Sequence, residues 1–325
     1  MEHTPPTERS LSRQAPAVTI VVPCFNEESV LPLSAPRFLD FLDRGVRELR
    51  LAAESCVCFV DDGSTDGTWS FIERLAEQDC RVHGIKLSRN RGHQNALLAG
   101  LLSVSGDAVI SIDADLQDDL MAMDQMVAAY SAGAEIVYGV RRTRTSDTLL
   151  KRISAEVYYR LLGLMGVEVV FNHADYRLLS RRAVNALGEY RETNVFLRGL
   201  IPQLGFSTAT VFYDRCPRSA GKSKYSVAKM IALAFDGVTS FSAAPLRLIT
   251  LLGMAIAFFS FGSALWALWV RVFNQRAVPG WASTVIPVYF ISGIQLLCTG
   301  IIGQYVAKVY SEAKGRPRFT IEKQV

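Results

Sequence analysis

Two runs near the C-terminal end constrain this chain more than any other feature. Leu248–Val270 carries no charged residue over 23 positions, and Trp281–Ala307 carries none over 27. About 20 apolar residues at about 1.5 Å rise per residue cross the hydrocarbon core of a bilayer. Both runs therefore predict spanning helices, with Trp266, Trp269 and Trp281 near the interfaces. Arg271 and Arg276 are the only charged residues between them. Lys222, Lys224, Lys229 and Arg247 precede the first run, and Lys308, Lys314, Arg316, Arg318 and Lys323 follow the second. That bias puts both ends of the chain in the cytoplasm. Ser226–Pro245 mixes apolar residues with Lys229 and Asp236, which predicts helices lying along the inner interface and a surface for self-association. Half of the residues are hydrophobic, high for a soluble α/β protein. The net charge of +4 gives no reason to expect nucleic acid, and the basic residues of the C-terminal half read as facing phospholipid.

The residues ahead of these runs have a different pattern. Met1–Pro16 is polar and Pro-rich and lacks the apolar stretch of a signal peptide, so it reads as a disordered tail. Apolar strand-like runs then alternate with helical periodicity, the signature of βαβ units and a parallel sheet. The strands are expected at Ala17–Val22, Cys56–Val60, Val82–Leu87, Asp107–Ile112, Glu135–Val140 and Thr208–Tyr213. None of the six cysteines forms a C-x-x-C pair, so they read as small buried hydrophobes in a reducing compartment and not as zinc ligands.

Several of these strands open onto polar turns. The first ends in Pro23–Glu28 (PCFNEE), where Phe25 offers a flat face for a base and Asn26, Glu27 and Glu28 can bond base or ribose. Helix capping explains the same residues. The second ends in Asp61–Thr68 (DDGSTDGT). Ser64, Thr65 and Asp66 can cap the next helix, but capping does not explain Asp61 and Asp62 together. An acid after the second strand of a nucleotide-binding half often holds ribose or base. The third precedes Arg89, Arg91 and Gly92, which can lie near phosphate at a helix start; His93 reads as a polar turn residue.

The fourth strand ends in SIDADLQDD, Ser111–Asp119. Four carboxylates just past an apolar strand make no packing sense, but open α/β sheets bind ligands at that end. Asp113 and Asp115, two apart, can face one ligand, and such oxygen donors suit Mg²⁺ or Mn²⁺ gripping substrate phosphates. A solvated, helix-capping turn is the competing reading. Further on, Asp175 and Arg177 flank Tyr176, and Asp214–Ser226 is a flexible cationic segment suited to closing over a diphosphate.

Taken in order, P-x-F-N-E, V-D-D-G-S-T-D-G-T, D-A-D, D-Y-R-L-L-S-R and R-x-x-G-K-S-K-Y, followed by two apolar runs, resemble the family 2 polyprenyl-phosphate glycosyltransferases. The pattern is most similar to bactoprenol glucosyltransferases and more distantly to dolichol-phosphate mannose synthases. The resemblance implies an α/β, Rossmann-like GT-A catalytic domain over 17–225, juxtamembrane helices over 226–247, a transmembrane hairpin over 248–307 and a cytosolic tail over 308–325. It implies nucleotide-sugar binding at Pro23, Phe25, Glu27, Asp61, Asp62, Asp113 and Ala114. Phe25 stands where the family often has Tyr, so the ring can still stack but brings no hydroxyl to the nucleoside. The metal and diphosphate would sit at Asp113, Asp115 and Gln117, the lipid phosphate at Arg141, Lys151 and Ser154. Asp175 matches the residue usually given as catalytic base, and Arg218 and Lys224 match a mobile loop over the site.

The expected reaction is inverting transfer of one hexose, glucose by the same resemblance, from a UDP-sugar to undecaprenyl phosphate at the inner membrane face. The Q-x-x-R-W signature of processive synthases is absent after D-A-D, which argues for one sugar per acceptor. A phosphate monoester is largely dianionic at neutral pH, so Asp175 is open to a positioning role instead of proton removal. GDP-mannose or a UDP-linked modified pentose as donor, and a catalytically silent membrane scaffold, are the alternatives.

Overall fold

The structure is a computed structural model, and it describes residues 15–142, 173–192, 195–214, 244–269 and 281–325. Its centre is an eight-stranded mixed sheet. The strands are β1 (Val18–Cys24), β2 (Cys56–Asp61), β3 (Val82–Leu87), β4 (Ala108–Ser111), β5 (Ile136–Arg141), β6 (His173–Ser180), β7 (Thr208–Tyr213) and β8 (Ile321–Gln324). Their spatial order is β7-β5-β6-β4-β1-β2-β3-β8. The chain builds β1, β2 and β3 outward in parallel, then returns to lay β4 parallel to β1 on its other side. That reversal makes the carboxyl ends of β1 and β4 a topological switch point, where such sheets open a crevice for ligand. Every residue of β1 is buried, as a central strand covered on both faces requires.

The covering helices are α1 (Leu31–Arg47), α2 (Thr68–Gln78), α3 (His93–Ser103), α4 (Met121–Ser131), α5 (Arg181–Glu189) and α6 (Leu197–Gln203). On α1, Leu31, Ala35, Phe38 and Leu42 recur at helical spacing and are fully buried. Gly100 sets the seat of α3, because a Cβ there would overlap the side chains of Val21 and Val60. The close approach brings the start of α3 over the ends of β1 and β2.

Two strands depart from the expected pattern. β6 lies within Phe171–Arg182, where the sequence shows only a break in helical periodicity. It runs antiparallel between β4 and β5, pairing Ser111 and Tyr138 with Arg177. β8 falls in the segment 308–325 expected as a tail. It pairs antiparallel with β3, where Gly84 and Val325 exchange backbone hydrogen bonds at 2.9 and 3.0 Å. Lys323 pairs with Glu73 at 2.5 Å, Lys86 with Glu322 at 3.1 Å, and Arg318 donates to the Tyr190 carbonyl at 2.7 Å. Deleting residues 317–325 uncovers β3 as an edge and removes about 2 kcal/mol of packing and hydrogen bonding. A fall in Tm of about 4–8 °C is expected, measured by thermal melts in detergent.

The described residues divide between two compact units, one holding the sheet and helices α1–α6 and including Pro317–Val325, the other reaching to Arg316. The second unit contains α7 (Ala244–Trp269) and α8 (Trp281–Ala313). Among the described residues, one helical stretch, Phe290–Ala313, meets both length and apolarity requirements for crossing a membrane.

Candidate active site

The first two strand-end turns are fastened to each other. The Asn26 amide N–H donates to Ser64 Oγ at 2.9 Å, and Asn26 Oδ1 accepts the Thr65 amide at 2.9 Å. The Glu27 amide donates to Thr68 Oγ1 at 2.9 Å, and Glu28 Oε2 accepts the Gly67 amide at 3.0 Å. Asn26 holds a φ of +56° to do this, a conformation Asn tolerates better than most residues. Ser64 and Thr65 therefore join the loops instead of capping α2, whose N-cap is Gly67; Asp66 accepts the Thr68 amide at 3.0 Å. Pro23 is buried at the end of β1, Glu27 is half-buried, and Phe25 stands exposed at the rim.

Asp61 and Asp62 have separate duties. The Asp62 carboxylate accepts the Arg91 and Gly92 amides at 2.7 and 2.9 Å, bracing the loop that leads into α3. Asp61 is fully buried; its Oδ1 accepts the Ser64 amide at 3.1 Å, while its Oδ2 has no hydrogen-bond partner among the described residues. Burial raises both carboxyl groups above their ordinary range. A buried acceptor without a donor costs about 1–3 kcal/mol, so Asp61 Oδ2 is suited to a ligand N–H or O–H.

The acidic run after β4 also splits. Asp113 and Asp115 are half-buried and open to the crevice, while the side chains of Ala114 and Leu116 sink into the core. Ala114 can meet a ligand only through its backbone. Leu116 adopts a φ of +54°, an uncommon conformation for a large residue, and the turn lets the Gln117 amide reach Asp115 Oδ1 at 3.2 Å. Gln117 itself is buried. Asp118 is buried and accepts the Tyr213 hydroxyl at 2.6 Å; that hydroxyl accepts from Arg141 Nε at 3.2 Å, and Arg141 Nη2 lies 3.4 Å from Asp118. Asp118 thus aims Arg141, the residue expected to meet the acceptor. Asp119 accepts the Met121 amide at 2.9 Å at the head of α4.

Burial, reinforced by the charges of Asp118, Asp175 and Asp115, pushes the Asp113 carboxyl up to about 6. Such repulsion is what a divalent cation relieves. Among the described residues, no three His, Cys, Asp or Glu side chains close into a metal cage. The donor set still fits Mg²⁺ or Mn²⁺, which bind through one or two carboxylates completed by substrate phosphates and water.

Asp175 is the most heavily bonded group in the site. Arg198 grips it side-on, with Nε 3.2 Å from Oδ1 and Nη2 3.0 Å from Oδ2. Arg177 pairs with Oδ1, Gln94 donates to Oδ2 at 3.1 Å, and His93 Nε2 lies 3.6 Å from Oδ2 and 3.5 Å from Asp113 Oδ1. Burial alone would raise this carboxyl, but His93, Arg198 and Arg177 override it and hold Asp175 well below the usual carboxylate range. His93, Gln94 and Arg198 are the site residues that sequence reasoning missed. Their only sequence signal is the polar start of α3 after a glycine; nothing in the spacing brings Arg198 to Asp175. Lys151, Ser154, Arg218 and Lys224 lie outside the described residues.

Residues 19–188 match the Glycosyl transferase family 2. The chain is 45% identical over 96% of its length to the uncharacterized glycosyltransferase YkoT of Bacillus subtilis (strain 168), covering 93% of that protein. It is 36% identical over 94% of its length to the SfII prophage-derived bactoprenol glucosyl transferase of Shigella flexneri, covering 97% of it. Among solved structures, mannosyltransferase PcManGT from Pyrobaculum calidifontis, in complex with GDP-Man and Mn²⁺, aligns with a TM-score of 0.43 and 19% identity over 90% of this chain and 87% of that one. With its family match covering more than half the sequence and its relatives nearly all of it, the chain belongs to glycosyl transferase family 2 and is a glycosyltransferase.

Proposed function

We propose that this enzyme transfers a single hexose, glucose in the first instance, from a UDP-sugar to a polyprenyl phosphate at the cytoplasmic face of a membrane, with inversion at the anomeric carbon. The observation that carries the reading is the saturation of Asp175. A hydroxyl acceptor needs a base to take its proton as it attacks. Asp175 has both oxygens committed to cationic and amide donors and a depressed pKa, so it is a poor base. A phosphate acceptor with a second pKa of about 6 arrives as a nucleophile and needs none. The bactoprenol glucosyl transferases among the relatives supply the lipid and the sugar of the proposal.

The nucleoside stacks on Phe25 and meets the unsatisfied Asp61 Oδ2, with Pro23 and Glu27 shaping that pocket. Asp62 acts at one remove, by bracing the entry to α3. Asp113 and Asp115 would hold Mg²⁺ or Mn²⁺, with Gln117 supporting Asp115 through its backbone; a divalent cation there neutralises the diphosphate charge that grows as UDP leaves. Arg141 is aimed by Asp118 and Tyr213; by the family resemblance Lys151 and Ser154 would join it on the acceptor side, and Arg218 and Lys224 would meet the diphosphate.

Chain connectivity supports two membrane crossings by 248–307. β7 and β8 belong to one sheet, and α7 and α8 are inserted between them. A chain that leaves the sheet, crosses a bilayer and rejoins the same sheet must cross an even number of times. A single span would leave β8 on the wrong side.

The test is a donor screen with undecaprenyl phosphate, the lipid product read by mass spectrometry. UDP-glucose is expected to give a monohexosyl product; product from GDP-mannose or a UDP-pentose alone would reassign the donor, and none with any donor would favour a scaffold. Asp61→Asn should weaken UDP binding about tenfold, because it exchanges an acceptor for a donor at a buried polar contact; calorimetric titration with UDP checks this.

A further inference from the structure

We infer that Arg198 joins Arg141 in receiving the acceptor's phosphate, and that Asp175 is the positioning residue that holds it. The inference rests on the phosphate-acceptor reading above and assigns a residue to it. Exposure separates the two partners: the Asp175 side chain is 7% exposed and that of Arg198 is 37% exposed. A ligand entering the crevice therefore meets the guanidinium and not the carboxylate. The pairing through Nε and Nη2 occupies one edge of the guanidinium plane and fixes its orientation. Asp175 is kept from turning away by Arg177 on Oδ1 and Gln94 on Oδ2.

Charge points the same way. Arg177 is fully buried, with Nε and Nη1 lacking hydrogen-bond partners among the described residues, so its charge is only partly spent. Arg177, Arg198 and His93 thus gather around the one Asp175 carboxylate. Asp113 and Asp115 face the proposed cation. His93 Nε2 lies within 3.6 Å of both Asp113 and Asp175, which sets the cluster next to the donor diphosphate site. An anionic nucleophile must approach a sugar flanked by a diphosphate and carboxylates, and an oriented guanidinium beside that site offsets the repulsion.

The experiment is equilibrium binding of farnesyl phosphate to the purified full chain in detergent with UDP present, with farnesol and inorganic phosphate as controls. Arg198→Ala is expected to weaken farnesyl phosphate binding about 10- to 100-fold, to leave farnesol binding unchanged and to keep UDP binding. Arg198→Lys should recover part of the loss, because a point charge replaces the fork. Undiminished farnesyl phosphate affinity in Arg198→Ala would overturn the inference and leave the proposed function standing. Loss of UDP binding in both Arg198→Ala and Arg198→Gln would make Arg198 a structural residue and would overturn it too. A wild-type protein that binds no farnesyl phosphate but still binds UDP would overturn the phosphate-acceptor reading itself.

Discussion

Asp115→Asn is expected to lower turnover by at least about 10³-fold, while the protein folds normally. Asp115 is half-buried at the crevice, and its Oδ1 accepts the Gln117 amide at 3.2 Å. Asn keeps an oxygen at that position, so the turn through Leu116 survives and only the charge goes. At a half-exposed rim this change costs the fold little. For a divalent cation the change is large, because the proposed ligands are two carboxylates, Asp113 and Asp115, and one becomes a weak neutral ligand. Metal-dependent UDP binding and sugar transfer should fall together, and EDTA should reproduce the loss in the wild type. Calorimetry with UDP and Mn²⁺, beside thermal melts, checks both halves. Wild-type turnover in the variant or in EDTA would remove the cation from the proposal.

Much of the sheet was legible because buried parallel strands advertise themselves as apolar runs. β3 and β7 fall at the residues expected, and β1, β2, β4 and β5 differ by a residue or two at their ends. Asp113 and Asp115 were legible for the complementary reason: charge directly after such a run has no packing explanation. Short or polar elements were not legible. β8 is four residues, Ile321–Gln324, three of them polar and exposed, and its partner β3 is more than 200 residues away in sequence. α5 has its apolar face, Ala183, Val184 and Leu187, within nine residues between arginines. The cage around Asp175 was invisible because sheet register makes it. β6 enters antiparallel beside β4, which sets Asp175 and Arg177 beneath the start of α3, and α6 delivers Arg198 from 23 residues along the chain.

Asp175→Asn is expected to destabilise the fold strongly as well as to impair acceptor use. Arg177 is fully buried and its charged partner in the structure is Asp175. Removing one partner of a buried pair leaves an uncompensated charge and costs on the order of 3–5 kcal/mol. For a domain of this size that is a fall in Tm of roughly 6–20 °C. Acidity should separate the variant from the wild type in a predictable direction. The Asp175 carboxyl is held below its ordinary value in the folded protein, burial working against the shift and His93, Arg198 and Arg177 more than offsetting it. A depressed folded pKa contributes stability that is present above the unfolded value of about 3.9 and is lost as pH falls through the folded value. The gap in Tm between wild type and Asp175→Asn should therefore be full near neutrality, hold down to about pH 4, and narrow below it. Thermal melts from pH 7 to pH 3 measure this. A gap that stays constant below pH 4 would mean that the Asp175 charge is not what offsets Arg177. Equal melting temperatures at pH 7 would mean that the cage contributes nothing to stability, and that Arg177 is neutralised by another group.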